Sequence, residues 1–168
     1  EMTVRVPRRE MAAQLVESEQ RWLPSLAESL PIAIPAPIRI GRPALGYPWS
    51  WSVNPWFDGD VAASSTFSQP TSEARRLGRF VAALHVPAPD DAPSNPYRGH
   101  FVGRNTPIFL ERAEQIAADL ERLVTGGAAA VRARWAELVD VAPFAAAPTW
   151  LHADLHSANV IVEGGCIS

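Results

Sequence analysis

A change in hydrophobic pattern at Gly59 constrains the fold of this 168-residue chain more than any other feature. Before Gly59, three short segments alternate or are rich in β-branched and aromatic residues, which is typical of strands. They are residues 2–6, 38–40 and 49–53. After Gly59, apolar residues recur at helical spacing. Helices are predicted from Thr71 to His85, from Thr106 to about Val124, and again after the two glycines at 126–127. The pattern predicts an α+β protein with two unequal parts.

Three further segments complete the predicted organisation. Residues 9–30 carry leucines and a tryptophan near helical spacing, and Pro24 is expected to divide them into two helical pieces. Near the other end, residues 150–152 and 160–162 are predicted as short strands around a polar loop. Residues 86–105 form a long Pro- and Asp-containing loop, and a loop of this length favours a functional role.

Composition excludes several classes of protein. The net charge of −3 argues against a nucleic-acid-binding face, and no apolar run approaches the length of a membrane span. All fifteen basic residues are Arg, so a Walker-type phosphate loop, which needs Lys, is excluded. The lone Cys166 allows no internal disulfide, and we expect a cytoplasmic protein with no membrane partner.

Polar side chains that could act in catalysis or bind a metal are concentrated between residues 152 and 159. Asp154 could accept the proton of a substrate hydroxyl, and Asn159 could offer its carbonyl oxygen to Mg²⁺. Phosphoryl transfer needs the hydroxyl aimed, the metal placed and the charge neutralised. The spacing Asp-x-x-x-x-Asn is that of a kinase catalytic loop. These residues are therefore candidates for a base and a metal ligand in a kinase.

The same segment allows two other interpretations. His152, Asp154 and His156 alternate, so an extended backbone would point all three in one direction, as a Zn²⁺-dependent hydrolase would require. In the simpler interpretation, the two histidines only hydrogen-bond the backbone of the loop.

Residues 152–162 resemble the His-Gly-Asp-Leu-His-x-x-Asn-hydrophobic signature of the aminoglycoside phosphotransferase family, small-molecule kinases with a protein-kinase-like fold related to choline kinases. Four other segments are similar to this family in the same order. They are the strand that bears its phosphate-binding basic residue, the helix that follows, the hinge between the lobes, and the first large-lobe helix with its closing Leu-His. In this chain they correspond to residues 3–8, 17–24, 51–60 and 77–85.

The resemblance implies a two-lobed fold, with residues 1–57 as a partial N-terminal lobe and hinge and residues 58–168 as a partial C-terminal lobe. It implies transfer of the γ-phosphoryl group of ATP or GTP, with Mg²⁺, to a hydroxyl of a small molecule such as an aminoglycoside-like antibiotic. Phosphorylation of an antibiotic would confer resistance to it. The implied residues are Asp154 and His152 for catalysis, Asn159 for the metal, and for the nucleotide Arg5, Glu19, Asn54, Trp56 and Phe57. Glu19 would be the ion-pair partner of Arg5.

The chain departs from the family pattern in several places. Ala153 replaces the usual Gly, and Arg5 stands where a kinase Lys is expected; Arg can still bind phosphate with its planar fork. No Gly-rich loop precedes Arg5, and no second metal-binding Asp follows residue 164. We therefore expect a fragment of a longer kinase that is catalytically incomplete as given. A non-catalytic binding module on the same fold is the alternative.

One further segment is a candidate for the acceptor site. The loop from Asp90 to Asn105 carries Asn95, Arg98 and His100, which could border the acceptor pocket.

Overall fold

The computed structural model describes residues 1–94, 106–142 and 144–168. It divides into two compact units, one formed by Glu1–Pro93 with Pro148–Ser168 and one by Ser94–Ala147. The α+β class is confirmed. Asn95, Arg98 and His100, considered above for the acceptor pocket, lie outside the described residues.

The first unit contains an antiparallel sheet near the start of the chain. Its strands are β1 (Met2–Arg5), β2 (Arg39–Gly41) and β3 (Trp51–Pro55), in the order β1-β3-β2. All three were predicted, although β3 begins two residues later than the sequence pattern indicates. Arg5 lies opposite Ser52 in the register. The central strand alternates between half-buried and buried residues, so one face of the sheet is covered.

Helix α1 (Glu10–Ala27) covers that face, and it corrects the prediction at Pro24. One continuous helix is present rather than two pieces, although a proline in a helix interior costs about 3 kcal/mol. Gln20 Nε2 donates to the Trp51 carbonyl at 2.9 Å and to Ser52 Oγ at 3.0 Å. Leu26 packs on the hydrophobic core. These contacts on both sides of Pro24 offset the cost of the proline.

A second antiparallel sheet follows the hinge. Its strands are β4 (Asp60–Val61), β5 (Ile161–Glu163) and β6 (Cys166–Ile167), in the order β4-β5-β6. β5 corresponds to the strand predicted at residues 160–162. Residues 150–152 do not form a strand, and that prediction is wrong. A bridge between Pro87 and Thr149 is flanked by hydrogen bonds from the Trp150 N–H to the Val86 carbonyl and from the Ala88 N–H to the Pro148 carbonyl, but the ladder does not continue into residues 150–152.

Helix α2 (Pro70–Leu84) packs against the second sheet and ends at His85, as predicted. Phe80 and Leu84 lie on the predicted apolar face and are buried. They form the core of the unit with Ile32 and with Ile167 of β6.

The second unit is helical: α3 (Thr106–Gln115), α4 (Ala117–Leu123) and α5 (Gly127–Val139). The predicted single helix over 106–124 is therefore divided. Ile116 has φ −108° and ψ 19°, outside the helical region, and nothing in the local sequence marks this break. Phe109 stacks on Trp135 with ring centroids 3.8 Å apart, and Trp135 Nε1 donates to Thr106 Oγ1 at 3.1 Å.

The two sheets fall on either side of the predicted lobe boundary at 57/58, but the compact units do not divide there. The two-lobe division stays a prediction. Within the described part of the chain, no helix is both long enough and apolar enough to cross a membrane.

Candidate active site

Asp154 and Asn159 lie on one short loop and are joined to each other. A turn of 3₁₀ helix at Ser157–Asn159 brings the Asn159 side chain back onto the loop. Its Nδ2 donates to the Asp154 carbonyl at 2.9 Å and approaches Asp154 Oδ2 at 3.5 Å. Only the nitrogen of a carboxamide can donate, so the contact fixes the orientation of the amide. Asn159 Oδ1 is therefore the end of the side chain that can serve a cation.

The two histidines of the loop accept hydrogen bonds from its backbone. His152 Nδ1 accepts from the Asp154 N–H at 3.4 Å, and His156 Nδ1 accepts from the Ala158 N–H at 3.2 Å. These backbone contacts agree with the simpler interpretation given above, and His156 Nε2 also lies 4.0 Å from Asp154 Oδ2. The catalytic assignment of His152 stays a prediction.

The backbone of this loop does not suit the zinc interpretation. Ala153 has φ +61°, so the segment is not extended and the alternation that would align both histidines with Asp154 is broken. Over residues 1–94, 106–142 and 144–168, no group of three His, Cys, Asp or Glu residues is placed to hold a metal.

The same angle at Ala153 shows why the family signature has a glycine at this position and what the alanine costs here. A residue with a Cβ pays about 1–2 kcal/mol in the left-handed region, whereas glycine does not. The glycine of the family signature therefore matches the conformation of this position, and Ala153 holds the same turn under strain.

Arg5 and Glu19 form a bidentate ion pair between β1 and α1. Arg5 Nε lies 2.6 Å from Glu19 Oε2, and Arg5 Nη2 donates to Glu19 Oε1 at 2.8 Å. About half of the Arg5 side chain, 48%, is exposed, against 28% of Glu19. Burial raises the pKa of the Glu19 carboxyl above its ordinary value and outweighs Arg5, which lowers it. The guanidinium is thus fixed by Glu19 while part of it stays open to a ligand.

The three hinge residues assigned to the nucleotide are in different environments. Asn54 is buried on β3, where its Nδ2 donates to the Pro35 carbonyl at 3.0 Å. Trp56 is 53% exposed, and its backbone N–H donates to the Glu1 carbonyl at 3.2 Å. Phe57 lines a cavity, described next. Of the three, Phe57 lines the same cavity as His152 and Asn159.

An apolar cavity of about 210 Å³ lies beside the loop that carries His152 and Asn159. Its lining includes these two residues, Phe57, and residues 32–35, which lie between α1 and β2. Ligand pockets usually measure about 300–1,000 Å³. This apolar cavity therefore suits one part of a ligand, such as a planar base, with the remainder outside. Arg5, Glu19, Asn54 and Trp56 do not line it.

A larger, open cavity of about 450 Å³ lies on the other part of the loop. Asp154 lines it together with residues 151–156 and the end of α2 at Leu84 and His85. Asp154 and Asn159 therefore line different cavities, and His152 lines both.

The residues present fit a nucleotide and Mg²⁺. The amide oxygen of Asn159 is one of the hard oxygen ligands that Mg²⁺ accepts. Ser168 lines the apolar cavity, and its Oγ is one of two buried side-chain atoms without a hydrogen-bond partner in the described ranges; the other is Asn54 Oδ1. A buried polar atom of this kind needs a partner, and the edge of a base can supply one.

Sequence reasoning missed part of this site. Residues 32–35 were not among the predicted site residues, yet all four line the apolar cavity. Their alternation of isoleucine and small residues after Pro31 could have indicated an apolar wall. Glu73 and Arg76 of α2, which contact β6, were also missed, because charged residues at the start of a helix are usually solvated.

Two comparisons relate this chain to known proteins, one by sequence and one by structure. The model of the phosphotransferase enzyme family matches residues 1–168. A crystal structure of macrolide 2'-phosphotransferase MphH from Brachybacterium faecium, an apoenzyme, has a similar fold, with a TM-score of 0.57 and 22% sequence identity. The match covers 99% of this chain and 55% of that one, so the chain spans about half the length of the matched structure. No curated protein matches the sequence.

Proposed function

The chain belongs to the phosphotransferase enzyme family, and from this premise we propose that its protein transfers the γ-phosphoryl group of ATP or GTP to a hydroxyl of a small molecule. The observation that carries the proposal is the hydrogen bond from Asn159 Nδ2 to the Asp154 carbonyl. It holds a candidate base and a candidate metal ligand on one loop, with the Asn159 amide oriented by the Asp154 carbonyl.

Asp154 would accept the proton of the acceptor hydroxyl. A carboxylate held on a short loop can aim the hydroxyl at the phosphorus, and positioning is the main requirement in this class of reaction. The backbone N–H of Asp154 donates to His152, so His152 would orient the loop around the base rather than exchange the proton itself.

Asn159 Oδ1 would hold Mg²⁺ beside the apolar cavity. Bound there with the nucleotide phosphates, the ion would neutralise charge that develops during transfer. Supporting this role, Asn159 lines the same cavity as Phe57, the hinge residue that would contact the base.

Arg5 would bind the α- and β-phosphates, with Glu19 holding its guanidinium in place. An arginine keeps its charge at every physiological pH and binds phosphate oxygens with a planar fork. Arg5 can therefore fill the position that a kinase gives to Lys, and the half-exposed side chain leaves donors for the phosphates.

The acceptor belongs to the class of small molecules that carry a hydroxyl. Macrolides and aminoglycosides are the first compounds to test, and activity on either would make the protein an antibiotic-resistance determinant. Because the donors are ATP and GTP, the proposed reaction would take place in the cytoplasm.

The test compares Asp154→Asn with the wild-type protein. We expect turnover to fall by about 10²–10⁴-fold, the usual contribution of a general base, while calorimetry with Mg²⁺ and ATP gives nucleotide affinity within twofold of wild type. Glu28→Gln is the matched control, an exposed carboxylate at the end of α1. Phosphorylation by Asp154→Asn at the wild-type rate would remove Asp154 from the mechanism. Nucleotide binding by the wild-type protein with no turnover on any acceptor would favour the non-catalytic binding module.

A further inference from the structure

Two side chains of α2 bind the backbone of Ile167 in β6. Glu73 Oε2 accepts a hydrogen bond from the Ile167 N–H at 2.9 Å, and Arg76 Nη1 donates to the Ile167 carbonyl. The two side chains are also close to each other, with 3.8 Å between Arg76 Nη1 and Glu73 Oε2. One residue of a strand is thus held at both of its backbone polar groups by one helix.

The position of β6 explains why these contacts are available. β6 is at the edge of its sheet, where alternate backbone groups face away from the neighbouring strand and lack a ladder partner. Glu73 is only 8% exposed. A carboxylate this deeply buried is costly unless it is hydrogen-bonded, and the N–H of Ile167 supplies that bond.

Anchoring of β6 does not by itself require the polar contacts. The side chain of Ile167 is already buried, at 4% exposure, in the core cluster with Phe80 and Leu84 of the same helix. Apolar packing is non-directional, and the ladder to β5 restrains the strand along its other edge. The two hydrogen bonds to the N–H and the carbonyl of Ile167 add a directional restraint on the edge that faces α2, and so fix the rotation of the strand about its own axis.

The rotation of β6 matters because this strand forms part of the apolar cavity. Ile167 and Ser168 line it, together with Leu77 and Phe80 of α2. We propose that Glu73 and Arg76 are positioning residues for nucleotide binding, which set the wall that β6 contributes to the apolar cavity. This inference rests on the proposed nucleotide site at that cavity.

The test measures binding of ATP with Mg²⁺ by calorimetry for the wild-type protein and for Glu73→Ala, Glu73→Gln and Arg76→Ala. We expect Glu73→Ala and Arg76→Ala to bind about tenfold more weakly, which corresponds to about 1.4 kcal/mol. Glu73→Gln keeps an oxygen that can accept from the Ile167 N–H and should recover most of the affinity. Exchange of the Ile167 amide hydrogen should be faster in Glu73→Ala than in Glu73→Gln.

Arg75→Ala is the matched control, because Arg75 is the exposed neighbour of Arg76 on the same helix. It should bind ATP as the wild type does. Arg76 is 35% exposed, so Arg76→Ala decides the question if Glu73→Ala does not fold.

The outcomes separate the two proposals. If the wild-type protein binds ATP and the folded variants bind it equally well, the positioning role is wrong and the nucleotide site stands. If the wild-type protein binds neither ATP nor GTP, the proposed function fails and the positioning role fails with it.

Discussion

Replacing Gly59 with alanine should destabilise the protein at the junction between the hinge and the second sheet. Gly59 has φ +118°, and a Cβ built on it would meet backbone atoms of β5, with the Val162 carbonyl carbon at 2.8 Å and the Val162 oxygen closer still. The next residue, Asp60, pairs with Val162 in the sheet. Backbone cannot rotate away as a side chain can, so β4 and β5 must separate locally.

The magnitude is the sum of a backbone cost and an overpacking cost, and two other glycines of the chain serve as references. Gly46 has φ +83° with nothing within 4 Å of its Cβ, so Gly46→Ala measures the backbone cost alone, about 1–2 kcal/mol. Gly78 lies in α2 with open space around it, and Gly78→Ala should stabilise the helix by about 0.5–1 kcal/mol. Gly59→Ala adds to the backbone cost an overpacking cost of about 1–3 kcal/mol.

The assay is urea denaturation of all three variants followed by circular dichroism. We expect the free energy of unfolding to fall in the order Gly78→Ala, wild type, Gly46→Ala, Gly59→Ala, with similar dependence on urea concentration. If Gly59→Ala is no less stable than Gly46→Ala, the close approach of Gly59 to β5 is wrong.

Three further predictions test the loop, the ion pair and the aromatic contact of α1. Ala153→Gly should raise the free energy of unfolding by about 1 kcal/mol by relieving the left-handed backbone; unchanged or lower stability in urea denaturation would contradict the angle. Burial raises the pKa of Glu19, so the wild-type protein is stabilised by this group at low pH and loses that stability as the pH rises through the raised pKa. In Glu19→Gln, this loss of stability should therefore be absent at pH values above about 4.3. If the free energy of unfolding of Glu19→Gln changes with pH in parallel with that of the wild type, the shift in pKa is refuted. Trp22 lies 5.2 Å from Trp150 between ring centroids, and Trp22→Leu should cost about 0.5–1.5 kcal/mol beyond the lost area; equal urea midpoints for Trp22→Leu and the wild type would show that the ring pair contributes nothing.

Elements with a strong local pattern could be predicted from the sequence. Helix α2 is the clearest case, because its apolar positions recur at helical spacing and His85 and Pro87 follow them directly. The fold class was predicted for the same reason. The continuity of α1 through Pro24 was not, because contacts distant in sequence, from Gln20 to β3 and from Leu26 to the core, decide it.

The candidate site divides in the same way. Asp154 and Asn159 were found from their spacing on one loop, and the structure joins them by a hydrogen bond. Their roles in catalysis stay predictions. The strand predicted at residues 150–152 was wrong, because strand formation needs a neighbouring strand that local sequence does not reveal. The contacts of Glu73 and Arg76 depend on which strand lies at the sheet edge, which local sequence does not reveal either.

Helix α1 is bonded to the first sheet and packs on the core to which the second sheet contributes, and this has a consequence for how the first unit unfolds. At Glu19 and Gln20 the helix is bonded to the first sheet, and at Leu26 it packs on the core that includes Ile167 of the second. If one sheet opens while the helix stays in place on the other, the protein loses either these bonds or part of that core. The two sheets should therefore open as one cooperative unit in hydrogen exchange, with α1 exchanging as slowly as the strands that it joins.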